Sequence, residues 1–93
     1  MNLGQTIYLD NSATTKPCEK ACEYINYALT DAWGNPSSLH SLGISAELLV
    51  EKSREAIAKK IGAKSEEIFF TASGTEANNT AILSALKKRG SGN

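Results

Sequence analysis

The 93-residue chain has no long hydrophobic run, no excess of either charge, and only two prolines, two cysteines and one histidine. A membrane-crossing helix needs about 20 consecutive apolar residues, and no stretch here approaches that length. The opening MNLGQTIYLD does not join a basic region to an apolar one, so it does not read as a secretory signal. Ten Lys and Arg balance ten Asp and Glu. A nucleic-acid or anionic-membrane surface would need clustered positive charge. The nearest approach, Lys87-Lys88-Arg89, falls where a helix is expected to end, and cations there complement the helix dipole. The expectation is a cytoplasmic protein with no nucleic-acid partner and no membrane partner. Two nucleotide motifs are also missing. There is no Gly-x-x-x-x-Gly-Lys-Ser/Thr loop and no Gly-x-Gly-x-x-Gly turn, which excludes Walker-type and dinucleotide sites. Cys18 and Cys22 are spaced to share one helical face. With His40 they make no recognised zinc framework and lack a fourth ligand, so they are expected to be free, buried or half-buried thiols with no metal.

What is present is an alternation of short apolar runs and helical patterns. At this length there is room for one small domain at most. Such a chain buries only about 60% of its unfolded surface, so modest stability is expected. Thr6–Leu9 is short and β-prone and reads as a strand. Asp10–Lys16 is a polar loop. Pro17 suits the first position of a helix, and Ala21, Ile25, Ala28 and Leu29 at helical spacing predict that helix over Pro17–Thr30. Gly34-Asn35-Pro36 breaks it. A second helix is expected from Ser37 or Ser38, either of which could cap it. It runs to Ile61, with Gly62 as the terminating glycine. Lys64–Glu67 turns the chain and Ile68–Thr71 reads as a buried strand. A third helix is predicted from about Gly74, ending in Gly90-Ser91-Gly92-Asn93. This order is that of an α/β protein. Strands as apolar as Ile68-Phe69-Phe70 are normally covered on both faces and paired at both edges. The two strand candidates lie far apart in sequence, so either copies of the chain assemble or the chain is part of something larger.

The transition FFTASGTEANN, Phe69 to Asn79, concentrates the chemistry. A helix start leaves its first N–H groups unpaired and partially positive, and small residues there let an anion approach. Ser73 and Gly74 are small and Thr75 adds a hydroxyl. The same Ser-Gly-Thr-Glu is also a capping box. In that arrangement Ser73 accepts from the Glu76 N–H while Glu76 reaches back to the Ser73 N–H, and no ligand is needed. Both readings stand on the residues alone.

Four segments, in order, resemble the N-terminal portion of the cysteine desulfurases, pyridoxal-phosphate enzymes of the class V aminotransferase group. They are Tyr8–Thr15 (YLDNSATT), Gly34–His40 (GNPSSLH), the amphipathic helix ending Ile61-Gly62-Ala63, and Ile68–Thr71 running into Ser73–Asn79. The resemblance extends from about Ile7 to the last residue. It implies an α/β fold, the N-terminal part of a fold-type I pyridoxal-phosphate transferase with an incomplete sheet. Residues 1–36 would belong to the small domain and 37–93 would begin the cofactor-binding large domain. It further implies that Gly74 and Thr75 hold the cofactor phosphate through their N–H groups and the Thr75 hydroxyl. On the same basis Ala13 and Thr14 would line the substrate side of the pocket, and Asn35 and His40 would belong to a loop at its mouth, offered across a dimer interface. On loop composition alone, Asp10–Thr15 is equally a polar loop leaving a strand, and His40 equally a locally bonded side chain.

The resemblance also implies groups that lie downstream of this portion: a cofactor-bearing lysine, an aspartate facing the ring nitrogen, a histidine stacked on the ring and a sulfur-accepting cysteine. None of the lysines here stands in that context, nor do Cys18 and Cys22, so no catalytic residue is expected within these residues and the chain alone is expected to be inactive. The whole enzyme would take sulfur from L-cysteine, release L-alanine and pass a persulfide to sulfur-acceptor proteins for iron–sulfur clusters or tRNA thiolation, as a homodimer. The alternatives are a selenocysteine or cysteine lyase-like relative, or a non-catalytic module that binds an anion or a partner surface.

Overall fold

The computed structural model describes residues 4–91, which form three α-helices and one short 3₁₀ turn. They are α1 (Glu19–Thr30), α2 (Ser41–Ile61), the 3₁₀ turn (Ser65–Glu67) and α3 (Gly74–Ser91). The chain divides into two compact units inside α2, Met1–Glu51 and Lys52–Asn93. Each is described by itself.

In the first unit, Thr6–Leu9 is not a strand; no strand occurs among the described residues. A β-ladder needs a partner for its N–H and C=O groups, and none is formed here. The following loop closes on itself. The Ala13 and Thr14 N–H groups both donate to the Asp10 carbonyl, at 3.0 and 3.4 Å. The Tyr8 hydroxyl donates to the same oxygen at 2.9 Å. Helix α1 starts two residues later than expected. Cys18 is its N-cap, with an extended backbone (φ −71°, ψ 164°), and its carbonyl accepts the Cys22 N–H at 3.0 Å. Pro17 therefore precedes the cap instead of opening the helix. Glu19 in the first turn favours this start through the helix dipole. Both cysteines are exposed, contrary to the expectation of buried or half-buried thiols. No residue of α1 is buried, and Tyr24, Ile25, Tyr27 and Leu29 all face outward.

The turn into α2 is tighter. Asn35 accepts the Ser37 N–H on its side-chain oxygen and the Ser38 N–H on its carbonyl, both at 2.9 Å. Two glycines let this turn lie against the start of α2. A Cβ at Gly34 would stand 2.4 Å from the Leu42 carbonyl oxygen, and one at Gly43 would stand 2.3 Å from that of Ser38. Neither Ser37 nor Ser38 caps the helix. His40 does: its Nδ1 accepts the Gly43 N–H at 3.3 Å and its carbonyl accepts the Ile44 N–H at 3.0 Å. The Ser37 and Ser38 amides are held in the preceding turn, and the helix begins after His40, whose ring nitrogen is the acceptor in reach.

In the second unit, α2 ends as expected at Gly62, whose φ of +71° suits a residue without Cβ. The Ala63 N–H reaches the Ala58 carbonyl at 2.9 Å, the long bond of a Schellman ending. Glu67 then ties the turn, its carboxylate accepting the Lys64 N–H at 2.8 Å. Ile68 has an extended backbone (φ −98°, ψ 122°), but Ile68–Thr71 pairs with no strand. The α/β sheet is thus not formed among the described residues. Phe69 is 79% exposed, where a buried strand was expected. Helix α3 begins at Gly74 as predicted and runs through Gly90 to Ser91, past the expected stop. Gly92 and Asn93, the rest of that expected ending, lie outside the described residues. Lys88 and Arg89 fall in its last turn. Among the described residues the buried ones are Ala32, Gly43, Ala46 and Ala58, and no helix is long and apolar enough to cross a membrane.

Candidate functional site

The start of α3 is built by its own sequence. Ser73 is the cap: its Oγ accepts the Glu76 N–H at 3.1 Å and its carbonyl accepts the Ala77 N–H at 3.1 Å. The Thr71 hydroxyl donates to that same Ser73 carbonyl at 2.9 Å and holds the turn from the other side. The reciprocal half of the expected capping box lands one residue earlier. The Glu76 carboxylate accepts the Ala72 N–H at 2.9 Å, not that of Ser73.

This shift decides what is left over. The Ala72, Glu76 and Ala77 amides are engaged. Those of Ser73, Gly74 and Thr75 come before the first helical hydrogen bond, and no hydrogen bond engages them among the described residues. All three residues are exposed. No atom lies within 4 Å of the position a Cβ would take on Gly74. Three successive N–H groups at the positive end of an 18-residue helix therefore face open space. On the flank of this helix a shallow hollow is lined by Phe69, Thr71, Ala77, Thr80 and Ser84, among others.

The other expected residues sit in the first unit and are not brought to one place. Thr14 lines a concave surface with Tyr8, Asn11, Thr15, Lys16 and Pro17; Ala13, Asn35 and His40 are not among its lining residues. Asn35 and His40 are occupied by the local bonds that shape the turn into α2. Lys16 was not singled out in the sequence, and Tyr8 only as the first residue of the YLDNSATT segment. The signal for them was there, since they flank the polar DNSATT run and bring a cation and a phenol to its edge. Among the described residues no group of three or more His, Cys, Asp or Glu could hold a metal ion.

The family model for class-V aminotransferases matches residues 7–93. The chain belongs to the class V aminotransferase family. Among the relatives of this class V chain is a NifS/IcsS protein homolog from Lactobacillus delbrueckii subsp. bulgaricus, 55% identical over 76 residues, 82% of the chain and 20% of the relative. A selenocysteine lyase from Xenopus laevis is 45% identical over 86 residues, covering 92% of the chain and 20% of the relative. The cysteine desulfurase NifS of Azotobacter vinelandii is 45% identical over 82 residues, 87% of the chain and 20% of the relative. The class V chain thus spans about one-fifth of the length of the curated relatives it matches. No solved structure matches it.

Proposed function

We propose that the chain is the N-terminal part of a cysteine desulfurase, and that the start of α3 holds the phosphate of pyridoxal phosphate. The observation that carries this is the trio of unengaged amides at Ser73, Gly74 and Thr75, open to solvent beside the Thr75 hydroxyl. The residues fit such a group. A phosphate needs several donors that converge without a side chain in the way, and the capping pattern leaves those donors free. When bound, the cofactor would supply the electron sink for breaking the carbon–sulfur bond of a substrate. The residues of this chain would anchor and orient it: Gly74 by admitting the phosphate close to the backbone, Thr75 by adding a hydroxyl donor, and Ser73 and Glu76 by fixing the turn.

In the whole protein, residues 1–36 would join the small domain and 37–93 would begin the large, cofactor-binding domain. There Ile68–Thr71 would pair into the central sheet of an α/β, fold-type I architecture. Ala13 and Thr14 would approach the substrate, and Asn35 and His40 would shape the loop at the mouth of the pocket. The reaction would convert L-cysteine to L-alanine and leave the sulfur on an enzyme cysteine as a persulfide for an acceptor protein. A cytoplasmic homodimer is the assembly that fits this role.

The direct test is an amide titration by NMR with inorganic phosphate and with pyridoxal phosphate. Saturable shifts centred on Ser73, Gly74 and Thr75 are expected with both, and weaker ones in Thr75→Val. Shifts scattered over the lysines, with these three amides unmoved, would defeat the proposal. A second reading, a selenocysteine lyase, draws on the Xenopus laevis relative, which covers 92% of the chain. Comparing turnover of L-cysteine and L-selenocysteine by the whole protein separates the two. The desulfurase reading requires alanine from L-cysteine at a substantial rate.

A further inference from the structure

The turn that bears the three free amides needs something to aim it, because Phe69 beside it is largely exposed and no sheet holds the segment. One side chain reaches it from α2. Arg54, half-buried, donates from its guanidinium to the carbonyl of Ile68, which is also half-buried. The same guanidinium lies over the ring of Phe70, with its central carbon 5.1 Å from the ring centroid. A hydrogen bond to the backbone fixes where the segment starts, and a cation–π contact two residues on fixes which way its side chains face. Three residues after Phe70 comes Ser73, the cap of α3.

We propose that Arg54 is the positioning residue of the phosphate-binding turn: by gripping Ile68 and Phe70 together, it sets the direction in which Thr71–Thr75 enters α3 and so where the free amides point. This deepens the phosphate reading and rests on it. Arginine suits the task better than lysine. A planar guanidinium can donate in its plane and stack on its face at once, whereas an ammonium is a compact point charge that serves one contact at a time. Arg54 does not touch the phosphate in this account; it acts through Ile68 and Phe70.

The experiment uses the full 93-residue chain and two variants, Arg54→Met and Arg54→Lys. Helix content is followed by circular dichroism. The phosphate midpoint is read from the Gly74 and Thr75 amide shifts with inorganic phosphate, and backbone order over Ile68–Thr75 from nitrogen relaxation without phosphate. A charge-assisted bond of this kind carries enough energy that Arg54→Met is expected to raise the phosphate midpoint on the order of tenfold. Helix content should be unchanged and order in the turn should fall. Arg54→Lys is expected to lie between. A phosphate midpoint and relaxation in Arg54→Met that match the native chain would overturn the proposal. So would equal loss of helix in both variants, which would make Arg54 a general stability residue. Should the native chain itself show no phosphate response, the phosphate reading fails on its own. The relaxation data then decide whether Arg54 orders the turn, and unchanged relaxation sinks that claim as well.

Discussion

The two turns that lead into α2 and α3 cap their helices alike but differ in how closely backbone packs around them. Before α2, the GNPSSLH turn is closed by its own atoms. Asn35 accepts two amides, His40 caps the helix, and two glycines let backbone pack on backbone. Before α3, the turn is tied at Ala72, Glu76 and Ala77 but leaves three amides unused, and the Gly74 Cβ position is open. Among the described residues both helix starts leave the amides of the cap and the next two residues without a hydrogen bond, His40–Leu42 at α2 and Ser73–Thr75 at α3. What differs is the surrounding space, since backbone crowds the Cβ positions of Gly34 and Gly43 and nothing lies near that of Gly74. In this structure the Asn35 and His40 side chains are used by local bonds in a crowded turn, whereas the binding role proposed for Gly74 and Thr75 rests on the open space beside them.

Glycine substitutions break the contrast most sharply. Gly43→Ala would press a methyl group into the Ser38 and Asn35 carbonyls, at 2.3 and 2.7 Å. Overpacking of this kind costs about 1–3 kcal/mol, against a helix-propensity gain of about 1 kcal/mol. Faster exchange of the Ile44 amide, the first N–H of the main-chain helical ladder, is the expected result. Next come the caps. His40→Ala and Ser73→Ala should each weaken their helix start by about 1 kcal/mol, seen as faster exchange at Gly43 and at Glu76 respectively. His40→Asn should recover most of the first loss, because asparagine is itself a good cap. Smaller still is Gly90→Ala, in open space near the end of α3, which should slow exchange in the last turn by less than about 1 kcal/mol. Gly74→Ala should leave helix stability nearly unaltered, since nothing lies near its Cβ position. It should nevertheless weaken the response to inorganic phosphate. A large stability loss in Gly74→Ala would erase the distinction between the two turns.

The sequence made most of this visible where the interactions are local. Helical spacing located all three helices, the glycine at position 62 ended α2, and Ser73 capped α3 as its neighbours predicted. What it did not show depended on competition among near neighbours or on distant partners. Ser37 and Ser38 look like better caps than His40, but both lie within the Asx-type turn made by Asn35, and the first helical amides meet His40 instead. Pro17 looks like a helix opener, but the extended backbone of Cys18 places the start after it. Thr6–Leu9 and Ile68–Thr71 have strand composition, but strand pairing is a property of two segments and neither finds its mate among the described residues. The grip of Arg54 on Ile68, fourteen positions away, and on Phe70 beyond it left no trace in any local pattern.

The described buried residues are three alanines and Gly43, so no buried side chain exceeds one methyl group. Little apolar surface is therefore withdrawn from water by these side chains, and apolar exposure is what raises the heat capacity on unfolding. On warming, these 93 residues should consequently show a broad, shallow calorimetric trace in place of a sharp peak, each helix fraying at its own temperature.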